Sequence, residues 1–137
     1  MPSMPDRPDA YAALRPIGWS DDAERIRAAQ GRPVARVTGQ HRSGFEVADG
    51  AGPEAVKRVQ PPAPWTRKID PELRAIVGDW VVLDEPRKHI LELLPRGALL
   101  KRGAAGEHHK LQLIAANVDH VLVVVGLDDD FNPRRIE

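Results

Sequence analysis

Cysteine is absent from the chain. That excludes a disulfide scaffold, a thiolate zinc site and a cysteine nucleophile, and it suits a reducing compartment, so the expected location is the cytoplasm. No apolar run reaches the length of about 18 residues that a membrane-spanning helix needs, and no membrane is expected as a partner. The N-terminal stretch Met1–Asp9 is proline-rich and charged, unlike a signal peptide. Aromatic rings are scarce, with three Trp, one Tyr and two Phe in 137 residues. Phe45 and Trp80 read as core, so few rings remain to stack on single-stranded bases. Neither sign of charge is in excess: Lys plus Arg is 20 and Asp plus Glu is 20.

Several chemical signatures are missing too. A phosphate loop needs two glycines correctly spaced before Lys and Ser or Thr. Gly103 and Gly106 are too close together, and Lys110 precedes Leu111. A dinucleotide fingerprint is also absent. His41, His89, His108, His109 and His120 have no ligand-like spacing, and Asp128–Asp130 reads as a solvated loop. Thr38, Ser43 and Thr66 sit in no nucleophile elbow. Residues 1–137 therefore hold no catalytic motif, no nucleotide site and no metal site.

What is present is punctuation: 13 Pro and 11 Gly, which predict a chain rich in turns. Residues 1–19 read as a tail. Ser20 reads as a cap for a short helix over Asp21–Gln30, with acidic residues in its first turn. From Pro33 the pattern turns to β. Pro33–Gln40 and Gly44–Asp49 read as a hairpin around His41–Gly44, and Ala55–Gln60 as a third strand. A proline-rich loop without helix follows to Trp65. Asp70–Ala75 reads as one or two helical turns with Pro71 in first position. Asp79–Leu83 and His89–Leu94 read as the fourth and fifth strands, separated by a charged turn at Arg87 and Lys88. Ala98–Lys101 reads as extended, and Gly103–Lys110 as a loop with little to pack. Five short strands with a small helix between the third and fourth predict an all-β fold, a five-stranded OB-fold barrel with short helices. An SH3-like barrel is the rival.

The last stretch changes class. His120–Leu127 is apolar almost throughout, as in a parallel strand covered on both faces. Asn132 and Pro133 would then start a helix. A strand followed by a helix is how an α/β domain opens, so the expectation is the first strand of a truncated α/β domain. The expected division is 1–31 tail and short helix, 32–112 barrel, 113–137 start of the second domain.

Neutrality overall hides local basic stretches. Residues 31–69 hold seven basic groups against three acidic, and residues 96–118 four against one. Arg36, His41 and Arg42 surround the first hairpin, Lys57 and Arg58 lie on the third strand, and Arg87 and Lys88 on the fourth turn. Arg96, Lys101 and Arg102 follow the fifth strand. Guanidinium forks suit phosphate oxygens. With few free rings, the pattern points to folded RNA met through its backbone.

At this point the C-terminal half resembles a known family. The pieces are Val77-Gly78-Asp79-Trp80-Val81, Leu94-Pro95-Arg96, Lys101-Arg102, Ile114-Ala115-Ala116-Asn117-Val118-Asp119, and Asp130-Phe131-Asn132 with Arg134-Arg135-Ile136-Glu137. In that order they are similar to the ribosome small-subunit-dependent GTPase A family, and Gly18-Trp19 and the Gly39–Ala48 hairpin agree. The resemblance implies an OB domain that contacts the small ribosomal subunit and its rRNA, a permuted GTPase domain, and a zinc module. It implies GTP, Mg and Zn for those further domains, none for residues 1–137, and a monomer that acts late in subunit maturation. The full-length family protein would be a GTP hydrolase. The alternative function is an interaction module that docks on its own GTPase domain without binding RNA.

Overall fold

The computed structural model describes residues 10–52, 56–103, 111–128 and 132–136. Five strands form one antiparallel sheet: β1 (Val34–His41), β2 (Gly44–Ala48), β3 (Val56–Val59), β4 (Trp80–Leu83) and β5 (Ile90–Leu93). Their order is β3-β2-β1-β4-β5. β1 is therefore central, pairing β2 along its C-terminal part and β4 along its first residues. A register shift between Val37 and Gly39 marks a bulge in β1, which bends a strand and increases its twist. The edge strands meet at one end through a parallel bridge between Gln60 and His89. A mostly β fold with short helices is thus what the alternation foresees.

The core lies on both faces of β4. Val81 and Leu83 face one cluster with Ala35, Val37, Phe45, Val47, Val59 and Ile90. Trp80 and Val82 face a second with Tyr11, Leu14, Trp19, Ala29, Val34 and Leu94. This explains why β4 is apolar at every position: all four residues are buried.

The second cluster corrects the reading of residues 1–19 as a tail. From Ala10 the chain is described, and it forms a 3-10 helix over Ala12–Ile17, in which Pro16 is tolerated. Trp19 meets Trp80 edge-on with centroids 4.9 Å apart, and Tyr11 lies 5.0 Å from Trp19. Such aromatic pairs add about 0.5–1.5 kcal/mol beyond burial. Residues 1–9 lie outside the described residues.

Helix α1 (Ala23–Ala29) is shorter than expected, and Asp22 caps it by accepting the Arg25 N–H at 3.0 Å; Ser20 does not serve as its cap. One-turn 3-10 helices cover Ala63–Thr66 and Pro71–Leu73. The first falls where a plain loop was expected, with Pro in its first turn. In the second, the Asp70 carboxylate accepts the Glu72 N–H at 2.9 Å.

A second sheet was only half foreseen. β6 (Leu99–Gly103) and β7 (Leu111–Ala116) form a separate antiparallel pair. β7 runs across residue 112, where the first domain was expected to end. The pair is fastened by Ala116 N–H to Val77 O at 2.9 Å and Asn117 N–H to Ala98 O. The loop between the strands, from 104 to 110, lies outside the described residues.

No strand forms over His120–Leu127. Leu122, Val124 and Leu127 are 90%, 93% and 91% exposed. A strand is held by a neighbour on at least one edge, and none is paired to this run among the described residues. Pro133–Ile136 forms a 3-10 turn. Asp129, Asp130 and Phe131 lie outside the described residues.

Candidate nucleic-acid interface

The structure divides the ten basic candidates by what their side chains already hold. Arg36 faces inward. Its guanidinium donates to Gly78 O at 3.1 Å, Ile17 O at 2.6 Å and Asn117 O at 3.1 Å, and lies 5.2 Å over the Trp80 ring. Burial draws its pKa below the ordinary value. Arg96 is likewise spent. Its Nε reaches Asp79 Oδ1 at 3.1 Å, Nη2 bonds Asp79 Oδ2, and Nη1 and Nη2 donate to the carbonyls of Glu72 and Arg74. Asp79 is wholly buried. Both arginines hold backbone segments together, and these N–H groups point at protein oxygens.

Lys57 and Arg87 converge on one carboxylate. Lys57 Nζ lies 2.9 Å and Arg87 Nη1 3.0 Å from Asp49 Oδ2, whose side chain is 1% exposed. Burial pushes the Asp49 carboxyl up, but hydrogen bonds from Lys57, the Ala51 N–H and Arg87 outweigh it and hold the pKa below the usual carboxylate range. These two cations therefore carry a partly neutralised charge to the surface.

Arg42, Arg58 and Lys88 are different. All three are exposed, and their segments are linked through Gln60, which donates to Ser43 O and to Lys88 O. Arg42 stands in the β1–β2 turn, and Arg58 Nη1 lies 3.3 Å from Ser43 Oγ of that turn. Lys88 stands in the β4–β5 turn, whose backbone meets β3 at Gln60. Asp84 organises that turn: Oδ1 accepts the N–H groups of Lys88 and His89 at 2.8 and 3.1 Å, and Oδ2 lies 2.9 Å from His89 Nδ1. Desolvation acts against the charge of Asp84, yet these bonds hold its pKa low. His41 Nε2 lies 3.5 Å from Glu46 Oε2, whose partner oxygen accepts from Thr38.

Lys101 and Arg102 belong to the second sheet. Lys101 pairs with Glu72 at 2.6 Å and Arg102 donates to Gln112 at 2.7 Å. Among the described residues no three His, Asp or Glu side chains converge as a metal set. No helix there is long and apolar enough to cross a membrane.

Sequence reasoning missed Gln60, Asp49 and Asn117. Asn117 has φ +55°, a conformation that Asn tolerates better than most residues. Its amide accepts from Gly97 N–H at 2.8 Å and Arg25, and donates to Gly78 O at 2.9 Å. The pieces that carried the resemblance thus meet: Gly78, Asp79, Trp80, Arg96, Ala116 and Asn117 form one junction between the two sheets. Their pattern has a structural cause, since each satisfies or covers another.

No family model and no solved structure matches the chain. Relatives do. It is 50% identical over 137 residues to the small ribosomal subunit biogenesis GTPase RsgA of Xylella fastidiosa (strain Temecula1 / ATCC 700964), a match covering 93% of this chain and 39% of that protein. It is 48% identical over 143 residues to the protein of the same name from Xanthomonas campestris pv. campestris (strain B100), covering 98% and 38%. The chain therefore spans about two fifths of the length of the curated relatives it matches. Over nearly its whole length, the chain matches the N-terminal part of the small ribosomal subunit biogenesis GTPases named RsgA.

Proposed function

We propose that the chain is the rRNA-binding module of a small ribosomal subunit maturation GTPase, and that its five-stranded sheet is of the OB type. The strand order supports the fold: β1 is shared between β2 and β4, and β3 approaches β5 in parallel. In such folds the first and fourth connecting loops flank the binding surface. The observation that carries the function is that Arg42, Arg58 and Lys88, all exposed, stand on three segments joined by the hydrogen bonds of Gln60 and Arg58. His41 lies beside them, with Lys57 and Arg87 at the Asp49 pair as secondary contacts. Lys101 and Arg102 on the second hairpin form a separate contact.

The partner is the small ribosomal subunit, as the relatives' name suggests, and the assigned location is the cytoplasm. GTP turnover, with Mg and Zn, is assigned to the part of the relatives that this chain does not span. The exposed run Val121–Leu127 is assigned as a strand of that further part, which makes the GTPase domain the second partner, and the protein acts as a monomer.

The test is a titration of the 137-residue chain against purified small subunits at several salt concentrations. Phosphate contacts release counterions, so affinity falls steeply with salt. Arg42→Glu weakens binding at least about tenfold, or about 1.4 kcal/mol, flattens the salt dependence and leaves the melting temperature unchanged, because a surface turn contributes little to the core. Undiminished binding by the double variant Arg42→Glu with Arg58→Glu would overturn the RNA assignment.

A further inference from the structure

The three cations of the proposed interface come from three separate segments, so something must set their spacing. Gln60, just beyond β3, touches all of them indirectly. Its side-chain amide Nε2 donates to Ser43 O at 2.9 Å, in the turn that carries Arg42. Its backbone N–H donates to Lys88 O at 2.8 Å, and its carbonyl accepts the Ile90 N–H at 2.8 Å. Arg58, two residues earlier, leans on the Ser43 hydroxyl. Space is kept for this arrangement by Gly44, whose φ is +139°. A Cβ there would stand 2.5 Å from Val59 O and 3.4 Å from the Gln60 amide nitrogen. The nearby carboxylates are engaged, Glu46 with Thr38 and His41, Asp84 with His89 and the turn backbone.

We infer that Gln60 is a positioning residue for phosphate binding: its amide clasps the β1–β2 turn against the bridge where Lys88 sits, holding the three cations at a fixed spacing before RNA arrives. The inference rests on the RNA reading proposed above. Gln60 carries no charge of its own. It acts by removing the cost of ordering the Arg42 turn, since pre-organised contacts bind more tightly than loops that must be fixed on binding.

The experiment uses Gln60→Met, which has similar length and keeps both backbone bonds but lacks the amide donor. Gln60 is exposed, so the core is spared, and Gln60→Ala serves as a second variant. Each is titrated against purified small subunits across salt, alongside thermal melting. The expected result is an affinity about three- to tenfold lower and a log–log salt slope shallower by about one contact, at an unchanged melting temperature. In an Arg42→Ala background the Gln60 substitution has no further effect. Wild-type affinity and slope in both Gln60 variants, while Arg42→Glu binds at least about tenfold more weakly, overturn the clasp and leave the RNA reading standing. An equal loss with and without Arg42 also overturns it. Failure of the unaltered chain to bind small subunits removes the RNA reading, and the inference with it.

Discussion

Replacing Arg96 by Met separates a structural arginine from an RNA-contacting one. In the wild type the Asp79 side chain is 0% exposed and the Arg96 side chain 15%. Arg96 binds both carboxylate oxygens and two backbone carbonyls, of Glu72 and Arg74, each at 2.9 Å. In Arg96→Met the Asp79 carboxylate keeps its bond from the Ile76 N–H at 2.9 Å but loses its cation. Removing one partner of a buried ion pair costs about 3–5 kcal/mol, because the other charge is left uncompensated. Domains of this size have about 5–15 kcal/mol in all. The variant should lose about a fifth of its stability or more, with a melting temperature lower by about 10 °C or more. Urea unfolding followed by the fluorescence of buried Trp19 and Trp80 measures it, with small-subunit binding titrated in parallel under folding conditions. Adding Asp79→Leu should recover part of the loss, since an apolar pair removes the stranded charge. A variant within about 1 kcal/mol of wild type that nonetheless binds subunits weakly, with a shallower salt slope, would refute the structural role and restore Arg96 to the interface.

Two further outcomes follow from the geometry. Asp49 has a folded pKa below its unfolded value of about 3.9, so its contribution is present above that pH and disappears as pH falls through the folded value. Asp49→Asn should lower the urea midpoint at pH 7, with the gap to wild type narrowing as the pH falls below the unfolded value, and a gap that stays constant on acidification would contradict the pairing with Lys57 and Arg87. Gly78 has φ +94°, and a Cβ there would meet the carbonyl oxygen of Ala116. Gly78→Ala should cost about 1–3 kcal/mol and loosen the β6–β7 hairpin, seen as faster hydrogen exchange at the Ala116 amide than at the amides of β1 and β4; unchanged exchange there would count against the junction.

The five strands of the main sheet and the hairpin turn were legible because their causes are local. Phe45 and Val47 alternate with Glu46, Pro61 and Pro62 end a strand, and Pro71 follows a capping Asp. Other features depend on residues far apart in sequence. Tyr11, Leu14 and Trp19 look like scattered apolar residues in a proline-rich tail until Trp80 and Val82 cover them. Leu111–Ala116 has no clear alternation and still forms β7, because Val77 and β6 supply its bonds. His120–Leu127 carries the stronger β signal and stays unpaired, because β propensity does not create a neighbouring strand. The same limit governs the interface. Arg36, Arg42, Arg58 and Arg96 are one residue type in similar basic stretches, and sequence alone determined that positive charge would cluster around these strands and turns. Only the tertiary structure decided which guanidinium groups turn inward to carbonyls and Asp79 and which face water, since that depends on which oxygens the fold leaves buried without a donor.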